Sequence, residues 1–214
     1  MRNPSDLTDY PRPSLAVDTA TFTVADDVLH LVLVRDRHGR LLLPGTFVHE
    51  RERLADAVLR SQAQKAGISG REPQQLKVFD DPDRDPRGWV VTVAHLDVVE
   101  SEVVRAGIAA GRISLVPVVE VGPGGSVVLP YDQPRVVAEA LARVRADYAD
   151  RPDPWGLLAE PFTLSDLRLL HEAVAGEELQ RDAFRRRMQP QLVPTGQMTD
   201  GRRGRPSRLF VHRD

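Results

Sequence analysis

The segment from Pro44 to Ile68, PGTFVHERERLADAVLRSQAQKAGI, constrains this 214-residue chain more than any other stretch. Leu42, Leu43 and Pro44 end an apolar strand, and Gly45 permits a turn that other residues resist. From Leu54 to Ala66 neither Gly nor Pro interrupts. Leu54, Ala57, Val58 and Ser61 recur at helical spacing, which predicts an amphipathic helix that Gly67 stops. A strand, a loop and a helix in that order need a sheet, and the flanks supply one. Ser14–Val24, with Leu15, Val17 and Phe22, and Val28–Val34 read as strands, with Asp36-Arg37-His38-Gly39 as the turn before Leu41. Trp89–Leu96, Leu115–Val121 and Val127–Leu129 read as further strands, whereas Gly70–Pro86 is polar and patternless. Glu102–Ala110 is a short helix or a loop. Gln133–Tyr148 places Val136, Val137, Ala140, Leu141 and Val144 on one face, a helix that closes the first domain. One sheet with helices packed on it makes an α/β sandwich.

The central segment resembles the box of the Nudix hydrolases. That box runs Gly, five residues, Glu, seven residues, then Arg-Glu-U-x-Glu-Glu-x-Gly-U, where U is a bulky aliphatic. Glu52, Arg60, Gly67 and Ile68 fall on box positions. Gly45 fits the usual Pro-Gly-Gly lead-in, and Thr46 replaces the box glycine. The family's three helix glutamates share one face and hold divalent metal; here those positions are Ser61, Gln64 and Lys65. Hard cations need oxygen ligands, mainly carboxylates, and pyrophosphate cleavage needs the metal to activate water. The resemblance therefore implies a Nudix-like binding module without catalytic residues, metal or cofactor. In it Lys65 would itself supply some of the charge that a metal brings to a diphosphate. Arg60 is expected to pair with Glu52, and His49 precedes the helix in a loop that can face a ligand. Arg84 and Arg87 lie in a DRDPRG segment similar to one in Nudix proteins acting on ADP-ribose-like substrates. The ligand-site candidates are thus His49, Glu52, Arg60, Gln64, Lys65, Arg84 and Arg87. A rival reading keeps an active hydrolase of ADP-ribose-type compounds, with Glu52 and Asp56 as replacement metal ligands. The acidic run Asp80, Asp81, Asp83 and Asp85 fits no metal-loop template and reads as a solvated loop.

Charge singles out the other end. Residues Arg181–Asp214 hold nine arginines against three aspartates, a net of +6 in a chain of net −2, so residues 1–180 carry about −8. Phe184, Met188, Leu192, Leu209, Phe210 and Val211 interleave those arginines as packing positions. Thr163 is placed to cap a helix over Leu164–Ala175 with Leu167, Leu170 and Val174 inward, and Gly176 ends it. A second helix over Gln180–Met188 turns Phe184 inward and Arg185, Arg186 and Arg187 outward. Two helices around a Gly-containing turn make a helix-turn-helix whose second helix lies in the major groove. Leu192–Thr195 and Ser207–Val211 frame an Arg-Gly tip, a wing whose Arg202, Arg203 and Arg205 reach phosphates or the minor groove. RNA is a poorer fit, because no aromatic stacking pattern appears.

This half, FTLSDLRLLHEAVAGEELQRDAFRRRM followed by LVPTG and GRRGRPSRLF, resembles the winged helix of the Nudix-related transcriptional regulators (the NrtR-like family). The resemblance implies a repressor of NAD-metabolism or sugar-catabolism genes whose Nudix-like domain senses a nucleotide such as ADP-ribose. It implies a homodimer on palindromic double-stranded operator DNA. The DNA-facing set is Thr163, Ser165, Arg185, Arg186, Arg187, Arg202, Arg203, Arg205, Ser207 and Arg208. The expected organisation is an arm at 1–13, an α/β sensing domain at 14–149, a linker at 150–160 and a winged helix-turn-helix at 161–214. The absence of cysteine excludes disulfides and thiolate metal sites. No apolar run reaches membrane-span length, so a cytoplasmic protein without a membrane partner is expected.

Overall fold

The computed structural model describes residues 10–122, 124–200 and 206–213. In chain order the large sheet comprises β1 (Ser14–Ala25), β2 (Val28–Arg35), β3 (Leu41–Leu42), β4 (Gly45–Phe47), β5 (Gln74–Phe79), β6 (Val90–Val98) and β7 (Ile113–Pro117). It is packed by α1 (Leu54–Ser61), α2 (Ser101–Ala109) and α3 (Gln133–Asp150). The strand order is β3-β2-β1-β6-β5, with β4 added to β1 and β7 to β2. β1 runs parallel to β6 from Ser14 opposite Val90 to Phe22 opposite Val98, and antiparallel to β2. The β1–β2 turn is the Asp26-Asp27 pair, both at positive φ (50° and 57°), which matches the twist of a two-residue hairpin.

Alternation along the strands sorts the two faces. Ala20, Phe22, Leu29, Leu31, Leu33, Leu96 and Val98 pack with Val136, Val137, Ala140, Val144 and Tyr148 of α3. On the opposite face Val32 and Val34 meet Ala66, Ile68 and Val104, and Val17 lies under Ala57 and Val58 of α1. Helices cover both faces, so the α/β sandwich expected from the strand and helix patterns has the three layers of the Nudix-like α/β/α sandwich that the resemblance implies.

The C-terminal elements are β8 (Phe162–Thr163), α4 (Leu164–Ala175), α5 (Arg181–Met188), β9 (Leu192–Met198) and β10 (Arg208–His212), with a small sheet ordered β8-β10-β9. Phe162, Leu167, Phe184, Met188, Leu192 and Phe210 form its core. α4 serves two cores at once: Leu167 points into the small one, Leu170 and Val174 into the large one. Trp155, Leu157 and Leu158 also pack on the large core. Among the described residues no helix is long and apolar enough to cross a membrane.

Several expectations are corrected. The helix after the box loop is α-helical only to Ser61; Gln62–Ala66 form a π-helical turn before Gly67 at φ 71°. The wider turn breaks the i, i+3, i+4 alignment of Ser61, Gln64 and Lys65. The patternless 70–86 segment contains β5, an edge strand exposed on most of its length and bulged between Gln75 and Lys77, so it shows no apolar alternation. Val127–Leu129 forms no strand and contributes one bridge, Val127 to Val121. β7 ends at Pro117, where Val118–Glu120 tighten into a 3₁₀ turn.

His171 sits where the two cores meet. It is 3% exposed, edge-on to Tyr148 and Phe184 at centroid distances of 5.0 Å each, and its Nε2 accepts from the Asp153 backbone N–H at 3.4 Å. Burial pushes its imidazole pKa down from 6.5 to about 4, and the Arg187 cation adds to the shift. The unfolded chain therefore takes up a proton below pH 6.5 that the folded one refuses. His171 alone should therefore contribute a loss of about 3 kcal/mol as pH falls from 6.5 to 4, and no change above 6.5. Urea midpoints at pH 7.5 and 4.5 check this; His171→Gln should change the difference between them by about that amount, and an unchanged difference would assign it to other groups.

Candidate functional site

A cleft of about 770 Å³ opens where β1, β4 and β6 meet the β2–β3 hairpin and the loop before β7. Its inner wall is built around Asp18, a charged residue in an otherwise buried strand. Asp18 accepts from Thr92 Oγ1 at 2.9 Å and Gln133 Nε2 at 3.1 Å. Burial pushes its carboxyl pKa up despite these bonds. Gln133, at the start of α3, also accepts from the Leu43 N–H at 3.0 Å, so one side chain ties helix, strand end and carboxylate together. Gly45 faces Asp18 across the β1–β4 pair, and a Cβ there would collide with the Asp18 carboxylate and the Val17 carbonyl. That close approach explains the glycine.

Arg84 lines the cleft as expected, but as a buried anchor. Its guanidinium forks onto Asp132 at 2.5 and 3.0 Å and lies 3.7 Å from Asp18. Arg87 also lines the cleft and remains exposed. It pairs with Asp85 at 2.6 Å and stands 4.9 Å from the Tyr131 ring centroid and 5.4 Å from that of Phe47. Tyr131 holds φ at 59°, uncommon for an aromatic residue and a mark of a position fixed by its surroundings. Lys65 reaches the cleft from the π-helical turn and donates to the Gly45 carbonyl. Desolvation lowers its ammonium pKa, and the Asp18 charge opposes that shift.

The remaining box candidates are not among the residues lining the cleft. Glu52 and Arg60 pair at 2.7 and 2.8 Å, and Glu52 accepts from the His49 N–H at 2.8 Å. Arg60, ahead of these bonds, holds the Glu52 carboxyl down to about 2. Arg60 further donates to Thr46 Oγ1 at 3.2 Å and the Phe47 carbonyl at 3.0 Å, so the pair staples the loop that carries the cleft residues Thr46 and Phe47. His49 and Gln64 are exposed and outside the cleft lining. Sequence reasoning missed Asp18, Phe47, Tyr131 and Gln133, together with Arg35, Arg37, Arg40 and Arg112. A lone aspartate in an apolar strand was the available signal for the first. His38, read as a turn residue, is one, and it also lines the cleft.

On the second module, Thr163 is corrected from the DNA-facing set. It is buried, and its hydroxyl is spent in a capping box: it donates to Asp166 Oδ2 at 2.8 Å and accepts from the Asp166 N–H at 3.1 Å. Ser165 is exposed on the first turn of α4. Phe184 and Met188 root α5 in the core. Arg185 and Arg186, with Asp182, Gln189 and Pro190, line a shallow surface depression, and Arg185 Nε donates to Gln189 at 2.9 Å. Arg187 leans instead toward Asp150 at 3.9 Å, because three consecutive helical residues cannot share one outward face. Ser207 and Arg208 are exposed at the wing base, where Ser207 exchanges hydrogen bonds with Thr199. Arg202, Arg203 and Arg205 lie outside the described residues.

Comparison with known proteins matches both halves. The family model of the NrtR DNA-binding winged helix domain matches residues 154–211. The ADPR responsive transcriptional repressor NtrR of Acinetobacter baylyi is 29% identical over 186 residues, 84% of this chain and 74% of that protein. The crystal structure of Shewanella oneidensis NrtR complexed with a 27mer DNA aligns at TM-score 0.77 and 31% identity, covering 93% of each chain. The Nudix domain of Shewanella oneidensis NrtR, solved with ADP ribose, aligns at TM-score 0.56 and 27% identity over 65% of this chain and 94% of that one.

Proposed function

The chain belongs to the NrtR family of Nudix-related transcriptional regulators, and on that footing we propose that it is a DNA-binding repressor whose Nudix-like cleft senses a nucleotide metabolite such as ADP-ribose. The observation that carries this reading is the match, over 93% of this chain, to a DNA-bound relative, together with the outward pair Arg185 and Arg186 on the second helix of the winged fold. We place the sensing domain at residues 14–149 and the DNA-binding domain at 161–214, with α4 as the element common to both cores. Two copies in a homodimer would meet a palindromic operator in the cytoplasm, one helix α5 per half-site. Effector binding would shift the dimer between arrangements by no more than its differential affinity for them.

The cleft's volume suits a small-molecule ligand. Phe47, Arg87 and Tyr131 offer flat faces for a base. The same region argues for a sensor without hydrolysis. Ser61 is buried, Gln64 points to solvent, and Lys65 brings an ammonium where the family's box has a glutamate. Lys65, donating to the Gly45 carbonyl beside Asp18, acts as a tethered cation facing the ligand.

Fluorescence anisotropy with DNA from the upstream intergenic region, at fixed salt, tests the reading. Specific binding is expected to change on adding ADP-ribose, with and without EDTA. Lys65→Glu should weaken the ADP-ribose response by roughly tenfold, about 1.4 kcal/mol. Full affinity in that variant would remove Lys65 from the ligand site, and metal-dependent turnover of ADP-ribose would move the protein to the hydrolases.

A further inference from the structure

The cleft's cations are unevenly matched. Arg40 is committed to Asp36 at 2.8 Å, Arg84 to Asp132 and Arg87 to Asp85. Arg35, Arg37 and Arg112, all lining the hairpin end, have no carboxylate within ion-pair distance among the described residues. Arg35 donates to the Gly39 carbonyl at 3.0 Å, and Arg37 Nε to His38 Nε2 at 3.0 Å. Arg112 extends toward Gly67 at the end of the box helix. The β2–β7 ladder ends at the pair Val34 with Ile113; Arg35 is the last residue of β2 and Arg112 immediately precedes β7, so the two backbones leave the ladder at the same end.

We propose that Arg35, Arg37 and Arg112 form a phosphate-binding subsite at the hairpin end of the cleft, separate from Lys65. The proposal rests on the reading of the cleft as a nucleotide sensor. An anion in this part of the cleft would give these guanidinium groups the charged partner they lack, and their planar forks match phosphate oxygens two at a time. The turn that carries two of them is already fixed. Asp36 Oδ1 accepts from the His38 and Arg40 N–H groups at 2.8 and 2.9 Å, and the Asp36 N–H donates to the Arg40 carbonyl at 3.0 Å. Little ordering remains for a ligand to impose. The DRHGR run is therefore more than a hairpin turn. The phosphate is either the effector's own diphosphate or a further phosphomonoester on it.

Isothermal titration of the full chain in metal-free buffer with inorganic pyrophosphate tests the subsite directly. Wild type should bind, and Arg37→Ala/Arg112→Ala should bind at least tenfold more weakly. Arg53→Ala/Arg105→Ala, the same loss of charge elsewhere on the surface, should bind as wild type. No binding by wild type, or equal binding by the two double variants, overturns the subsite. ADP-ribose is titrated next. A tenfold loss in the Arg37/Arg112 variant identifies the diphosphate as the occupant. Unchanged ADP-ribose affinity, with a wild-type preference for 2′-phospho-ADP-ribose that the variant lacks, identifies a phosphomonoester; unchanged affinity without that preference overturns a role in effector binding. If wild type binds pyrophosphate through these arginines but not ADP-ribose, the subsite stands and the ADP-ribose reading falls.

Discussion

Asp153→Ala is expected to destabilise the protein by about 3–5 kcal/mol, more than any substitution of a residue lining the cleft rim. Asp153 is 3% exposed and lies between the two cores. Its Oδ1 accepts from Tyr148 Oη and the Leu157 N–H, both at 2.9 Å, and its Oδ2 from the Leu158 N–H at 2.8 Å, with His212 Nε2 3.9 Å away. One carboxylate thus connects the end of α3, the segment carrying Leu157 and Leu158, and the last strand of the wing sheet. Burial pushes the Tyr148 phenol pKa up, so it stays a donor across the working range of pH. Alanine would leave one buried and two half-buried donors without an acceptor, at roughly 1–3 kcal/mol each, partly offset by water entering the gap. Asn keeps the shape and one acceptor oxygen and should cost less than half as much. Urea unfolding followed by circular dichroism measures both. A midpoint for Asp153→Ala within about 1 kcal/mol of wild type would mean that the three donors find other partners.

That junction was only partly legible in the sequence. DRPDPWGLLAEP reads as a linker because its prolines interrupt both periodicities, and Leu157 and Leu158 announce an anchor. A buried aspartate gives no sign in the sequence, since its partners are a phenol and two backbone N–H groups. The same asymmetry holds in the cleft. Lys65, Arg84 and Arg87 were legible because a box or a charged motif carries them. Asp18 reaches the cleft through strand pairing, Tyr131 through a left-handed backbone and Arg112 from the turn before β7, none of which a linear pattern encodes. The capped helix α4 was read to the residue, because Thr163, Asp166 and Gly176 are local signals that act within one turn. The two-residue β8 was missed because it is held by β10, about fifty residues later in the chain. The π-helical turn was missed because its apolar spacing reads equally well as the end of an α-helix.

The Arg185→Ala/Arg186→Ala double variant is expected to lose operator binding by about 2–6 kcal/mol, roughly 30-fold to 10⁴-fold, while folding normally. Both side chains are exposed on α5, and neither forms an ion pair with a carboxylate among the described residues, so their removal leaves no buried group unpaired. The helix stays anchored by Phe184 and Met188 and capped by Gln180, whose side chain accepts from the Ala183 N–H at 2.5 Å. Salt dependence separates the two ways these arginines can act. An arginine that reads a base edge contributes about 1–3 kcal/mol on the correct sequence and little on random DNA. One that meets a phosphate weakens both equally, and its loss lowers the slope of log K against log salt by about one. Arg208 at the wing base serves as the comparison, with a phosphate-type signature expected. Arg187, directed toward Asp150, should change stability more than sequence preference. Anisotropy titrations on operator and scrambled DNA at several salt concentrations give all four quantities. If the double variant binds operator as wild type does, α5 is not the reading helix, and the basic surface of the wing has to carry recognition instead.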